Sequence, residues 1–398
     1  MNKFRQAGHL VFLHPILIPL LFLLNFILVT SGFNSLGWGL SYRVDEFRNL
    51  YLLAIIFLLI GSIVKLGPNR NNLTKGDLPE KPFVNIYFFF TLISISFVLK
   101  CINLGGVPLF GGVSRYGESS GFFDFFLSGY ILIGLLALQT FLKNRFLKDF
   151  IVYLACLSYP LLLSNRQETT YIILGSAVIL FLYQRKVSAR SFFALFFGVV
   201  VAVFAIIQIA LIRFGEQVGF SSIFSIRTLD LIRAEMQAPY FLGNFAVAGL
   251  DARLLGRYSI SDYFWFLFPA EERGASFVNS RFVGVSTAQS VGFPFGYVLD
   301  FGWVGAFAMC FLAGILGNFL FQRARRLDLK GSALVVYTLF ILNSLWSLRS
   351  GVFPFSLQFI FWMIFAEALK SKDSKFHNVW GFVVTGLFGF SSVHLFFS

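Results

Sequence analysis

The sequence predicts an all-α polytopic membrane protein of about eleven transmembrane helices with a large, partly helical outer loop. Three observations predict it. Hydrophobic residues make up 57% of the 398-residue chain and charged ones only 13%, where a soluble domain carries about 25% charged residues. The apolar residues gather into long runs, as crossing a ~30 Å hydrocarbon core with about 20 residues requires. Each run is followed by a polar or charged connection, and the cations of those connections differ by side. With the N-terminus inside, the inner connections hold 19 Lys and Arg, 11 of them Lys, and the outer side holds 13, of which 12 are Arg. Lys100, at the end of a run, is the outer exception.

The runs are 10–30, 50–64, 83–102, 125–142, 150–163, 169–183, 191–212, 294–320, 331–348, 352–369 and 379–397. The first follows Met1-Asn2-Lys3-Phe4-Arg5 and is read as a retained helix, because it is long for a signal peptide and lacks a clean Ala-x-Ala site. The inner connections 65–81, 143–149, 184–190, 322–330 and 370–375 are short and basic, which orients a membrane protein by the positive-inside rule. The outer connection 31–49 carries Arg43, Asp45, Glu46 and Arg48, and 103–124 carries turn-forming Gly and Pro before Arg115, Tyr116 and Glu118. The largest, 213–293, divides the chain into helices one to seven (1–212), the loop, and helices eight to eleven (294–398). Within it Ser221-Ser222 can cap a helix, and Ile226, Leu229, Ile232, Met236 and Tyr240 make an apolar stripe behind that cap. The run Tyr263 to Phe268 is aromatic enough to lie in the headgroup layer. The loop is therefore expected to be a folded lid or a structural cap.

The formal charge of +13 is explained by topology, so no nucleic-acid partner is expected. Cys101, Cys156 and Cys310 have no metal-like spacing, and the chain has no CxxC, HExxH, Walker A or GxGxxG motif. No metal and no cofactor are expected.

The chemistry is expected at the outer ends of the helices. Arginine keeps its proton and grips phosphate with two parallel hydrogen bonds, which a lysine cannot do. An outer face furnished with Arg therefore suits a phosphate-bearing or acidic substrate. Runs 150–163 and 169–183 are 14 and 15 residues long, or ~21–22 Å at about 1.5 Å per residue. Their joint, Ser164-Asn165-Arg166-Gln167-Glu168, is expected to sit below the surface. There Arg166 either meets a ligand or pairs with Glu168 to staple a turn. Arg349 sits in a second short joint, Arg213 leaves the seventh run, and Arg281 precedes the eighth. Four guanidinium groups near one depth can ring a pocket. Asp300 lies within apolar sequence and is offered as the partner of an Arg, the orienter of a substrate hydroxyl, or half of a structural ion pair. Glu118, Glu168, Glu271, Glu272 and Asp300 are the outer acid–base candidates, since none of His9, His14, His377 and His394 lies in the large loop.

Two stretches carry a family likeness: Leu163-Ser164-Asn165-Arg166-Gln167-Glu168-Thr169, and Gly292 to Gly305 with its Asp300-Phe301-Gly302-x-x-Gly305 pattern. With the helix count and the large loop, they make the chain resemble the bacterial Wzy-type polymerases of O-antigen and capsule repeat units. The resemblance implies a GT-C-like, metal-independent glycosyltransferase in the bacterial inner membrane, with the N-terminus cytoplasmic and the large loop periplasmic. Its substrate would be undecaprenyl-diphosphate-linked oligosaccharide at the outer leaflet, amid membrane lipid, with a chain-length regulator as a further partner. By position, it maps the family's outer arginines onto Arg166, Arg213, Arg281 and Arg349. Together with the residue reading above, the expected catalytic set is Arg166, Glu168, Arg281, Arg349 and Asp300, with Arg213, Arg115, Tyr116, Arg273 and Asn279 binding substrate. Related O-antigen ligases use a loop His, absent here. A flippase or other transporter of the same lipid would show internal pseudo-symmetry and midplane charges, and neither is visible. A non-catalytic scaffold leaves the outer arginines without a reason.

Overall fold

The computed structural model describes residues 14–30, 47–64, 86–110, 127–163, 165–183, 239–249, 254–263, 291–326 and 331–350. These residues form ten α-helices and one 3₁₀ turn, with no strand among them. The helices are α1 Leu17–Thr30, α2 Arg48–Ile63, α3 Ile86–Asn103, α4 Tyr130–Asn144, α5 Leu147–Leu162, α6 Arg166–Tyr183, α7 239–249, α8 Arg257–Tyr263, α9 Phe295–Arg326 and α10 Gly331–Ser350. Eight of the eleven expected spans fall on helices; 191–212, 352–369 and 379–397 lie outside the described residues. Among the described residues, α3 and Phe295–Arg325 are long and apolar enough to cross a membrane, and several shorter helices are equally apolar. Within the large loop residues 239–249, 254–263 and 291–293 are described, so most of the proposed stripe and of the aromatic run lies outside; Tyr240 and Tyr263 fall on α7 and α8.

The chain divides into two compact units. The first comprises 1–69, 224–326 and 340–359; the second comprises 70–223, 327–339 and 360–398.

In the first unit α2 and α9 run side by side in the same direction. Phe47 meets Trp303, Phe57 stacks on Phe307 at 5.2 Å, and Asn318 Nδ2 donates to the Val64 carbonyl at 2.7 Å. The crossing is possible because Gly61 and Gly314 face each other. A Cβ on Gly61 would lie 3.1 Å from the Gly314 Cα, and one on Gly314 would lie 2.6 Å from the Ser62 amide nitrogen. Such backbone-to-backbone approach is the usual helix contact in lipid, where small residues replace the hydrophobic drive. Gly314→Leu is therefore expected to lower stability by about 3 kcal/mol or more. Thermal unfolding in detergent reads this, with Val304→Leu, at an exposed position, as the neutral control. A Gly314→Leu melt at the wild-type temperature would contradict the crossing.

Helix α9 is broken at Gly302, whose φ of 68° and ψ of −177° lie in a region only glycine occupies readily. Above the break, Phe22, Phe26, Tyr51, Tyr240, Phe293 and Phe295 form one aromatic cluster with ring centroids 4.7 to 6.2 Å apart. Phe295 fits against Gly243 of α7, where any Cβ would overlap its ring. The outward faces of α1 and α2 are also apolar, with Leu20, Leu24, Ile27, Ile56 and Ile60 all exposed. Helices apolar on both faces suit a membrane protein rather than an aqueous surface.

The second unit is built around α4, whose residues Tyr130 to Gln139 are all buried. It forms a hairpin with α5: Arg145 closes α4 in the left-handed conformation at φ 59°, and Phe141 packs on Phe150. Gly134 admits Cys156, whose Cβ would stand 2.9 Å from a Cβ at that position. Helix α3 runs parallel to α5, pinned where the Tyr87 hydroxyl donates to Asp149 Oδ1 and where the Ser94 and Tyr159 hydroxyls meet at 2.8 Å. Tyr159 also stacks on Phe97, centroids 4.5 Å apart.

The joint between α5 and α6 differs from the expected one. Arg166, Gln167 and Glu168 are not in the connection but form the first turn of α6, leaving only residues 163–165 between the helices. The Asn165 N–H donates to the Pro160 carbonyl at 2.8 Å, and Thr169 donates to the Asn165 carbonyl through both its amide and its hydroxyl. Arg, Gln and Glu are good helix formers, so a polar stretch continues a helix that an apolar window would end. With these turns included, α5 and α6 reach ~24 and ~27 Å.

Candidate functional site

Two groups of the polar residues named from the sequence fall on described helices, one in each unit. In the second unit Arg166 opens α6 and Glu168 lies in the same first turn, half-buried. An acid there is favourable, because the N-terminal end of a helix carries a partial positive charge; a cation is not. Arg166 thus occupies a place where its charge gains nothing from its own helix, and where the amide ends of a helix attract anions.

In the first unit the site grows from Asp300, which is fully buried. Its Oδ1 accepts the Tyr258 N–H at 2.9 Å and its Oδ2 accepts the Ser259 N–H at 2.6 Å. These are the second and third residues of α8, whose amides have no partner within the helix. Asp300 therefore caps α8 across 41 residues of sequence, with charge-assisted bonds that are the stronger kind. The sequence reading offered an arginine or a substrate hydroxyl as its partner; the structure supplies backbone amides.

Three further bonds tie the same stretch down. Leu254 N–H donates to the Leu299 carbonyl at 2.9 Å, Val291 N–H donates to the Tyr258 hydroxyl at 3.1 Å, and Arg257 N–H closes the turn onto Leu254 at 3.0 Å. The turn needs positive φ at Leu255 (49°) and Gly256 (92°). Sequence reasoning singled out none of Leu254, Tyr258 and Ser259. Gly256 beside a short polar helix was the available signal, and it named no partner.

Residues 291–293 gather the remaining elements. Gly292 N–H donates to the Pro239 carbonyl of α7 at 2.8 Å, and Phe293 N–H donates to the Ser347 carbonyl of α10 at 3.0 Å. A Cβ at Gly292 would lie 2.6 Å from the Leu348 carbonyl oxygen. The Phe293–Pro294 peptide is cis. Arg349 directly follows Leu348 at the end of α10, so its backbone lies beside the stretch that leads into Asp300. The structure thus brings the backbone at Arg349 and the carboxylate of Asp300 to one end of the first unit, and it puts Arg166 and Glu168 in one helical turn in the second. Arg115, Tyr116, Arg213, Arg273, Asn279 and Arg281 lie outside the described residues. Among the described residues no three His, Cys, Asp or Glu side chains stand together as a metal site would need.

A family model described as "Putative O-antigen polymerase" matches residues 10–361 of the chain. No curated protein and no solved structure matches it.

Proposed function

The chain belongs to the O-antigen polymerase family, and from that premise we propose that it joins oligosaccharide repeat units carried on undecaprenyl diphosphate at the outer leaflet of the inner membrane. The family match over 352 residues, 10 to 361 inclusive, carries this reading. It favours polymerisation over ligation to a different acceptor and over transport of the same lipid.

In the reaction a hydroxyl of the terminal sugar of an incoming unit attacks the anomeric carbon of the growing chain. The bond from that carbon to the diphosphate oxygen breaks, and the diphosphate leaves with its lipid. The hydroxyl proton passes to an outer carboxylate, for which Glu168 is the described candidate. The developing charge lies on phosphate oxygens, and fixed guanidinium groups stabilise it where water is partly excluded. Arg166, Arg349, Arg281 and Arg213 take that role, with no metal required. Arg115, Tyr116, Arg273 and Asn279 contact the saccharide or the phosphates. Asp300 acts as a positioning residue: its bonds to Tyr258 and Ser259 hold the large loop's α8 segment against α9. The large loop is periplasmic in this reading, and a chain-length regulator is an expected partner.

The direct test uses purified protein in lipid nanodiscs given one undecaprenyl-diphosphate-linked oligosaccharide. A ladder at multiples of the repeat unit is the expected product. Failure to extend the substrate beyond one unit, with folded protein, would reject polymerisation.

A further inference from the structure

The break at Gly302 divides α9 at the level where the hydrocarbon core should end. The uncharged stretch Trp303 to Phe321 reaches ~28 Å at about 1.5 Å per residue, close to the ~30 Å core. Gln322, Arg323, Arg325 and Arg326 follow it on the inner side. Trp303 therefore stands at the outer boundary of the hydrocarbon, a level at which Trp is enriched. Down this stretch the exposed residues Val304, Ala308, Leu312 and Phe319 share one helical face, and all are apolar. Such a face on a membrane-crossing helix belongs to lipid.

The large loop meets α9 at that boundary. Leu254 is bonded to Leu299, and Tyr258 and Ser259 to Asp300, so the turn that opens α8 lies against the last residues before the break. This turn presents apolar side chains outward: Leu255 is 82% exposed and Ile260 48%. A Cβ at Gly256 would lie 3.2 Å from Ile260 Cδ1 and 3.7 Å from Phe301 Cζ, so the patch reaches α9 at the break. Leu255 is also held at φ 49°, in left-handed backbone that is costly for a residue with a Cβ and easy for glycine. An exposed left-handed position in water would suit glycine or asparagine. Leucine gains there only when its side chain leaves water.

We propose that the Leu255 turn, with Ile260, inserts into the outer leaflet and takes lipid acyl chains as its partner, anchoring the large loop at the headgroup boundary. The inference goes beyond the polymerase reading and rests on α9 crossing the membrane. Lipid is the occupant, rather than a second protein, because the patch joins at Phe301 the helix whose exposed face lipid covers. The segment capped by Asp300 then stays at the depth where a lipid-linked substrate carries its phosphates.

The test places a nitroxide label at Leu255→Cys, Ile260→Cys, Leu312→Cys or Asn144→Cys, one at a time, in a full-length Cys101→Ser chain reconstituted in lipid nanodiscs. All four positions are exposed, so the labels leave the packing intact. Collision with oxygen, which concentrates among acyl chains, is compared with collision with a water-soluble nickel chelate. Labels at 255 and 260 should favour oxygen, as the Leu312 label on the lipid face of α9 does. The Asn144 label, at the inner α4–α5 connection, should favour nickel. A Leu255 label that favours nickel overturns the anchor, whatever Ile260 shows. Protection of Leu255 from both reagents overturns it too, since protein would then cover the turn. A Leu312 label that favours nickel overturns the proposal through its premise, the crossing of α9, and is distinguishable because Leu312 lies outside the loop.

Discussion

Cells whose only copy carries Arg166→Ala should make no long-chain polysaccharide, while the protein still inserts in normal amount. Loss of one preorganised donor to developing charge costs about 2.7–4 kcal/mol, or 10²–10³ in rate, enough to empty a polymer ladder. Stability should hardly change, since a cation at the first position of α6 gains nothing from the helix field. Arg349→Ala, at the end of α10, is expected to act in the same way. The readouts are gel ladders of the polysaccharide beside membrane immunoblots of the protein. Wild-type ladders from both variants would reject the arginine assignment.

Asp300→Ala is the second large effect, and it should act by a different route. Two buried backbone amides, of Tyr258 and Ser259, lose their acceptors. Each unsatisfied donor costs about 1–3 kcal/mol, so the anchor should lose about 2–6 kcal/mol in all. Helix α8 would come away from α9, and hydrogen exchange at those two amides should accelerate strongly. Asp300→Asn keeps one acceptor oxygen and should fall between the two. Unchanged exchange in Asp300→Ala would show that α8 is held by something else. Arg166→Ala should leave these amides protected, so the two variants separate chemistry from positioning.

Much of this architecture was legible in the sequence, because a lipid-facing helix declares itself through apolar length. Even so, the α5–α6 joint was misplaced by three residues. Apolarity marks where a helix meets lipid, whereas backbone bonding decides where it starts, and Arg166 to Glu168 are helical without being apolar. Asp300 stood out as an acid in apolar sequence, but its partners did not, since a backbone amide carries no residue-type signature and lies some 40 residues away. Gly302 stood out only as part of the Asp300-Phe301-Gly302-x-x-Gly305 pattern; its role is a backbone conformation, which composition does not encode. The contact of Gly61 with Gly314 joins distant stretches, and neither glycine has a local pattern to predict the other.

The meeting of α2 with α9 has a consequence for how a polyprenyl substrate arrives. Aromatic rings close the upper part of that seam, touching glycines seal its middle, and the Asn318 side chain bolts its lower end to Val64. No isoprenoid tail can slip between two backbones in contact. In the proposed reaction the lipid tail would therefore reach its site along a different pair of helices, and widening or plugging the α2–α9 seam should change stability without changing which lipids are used.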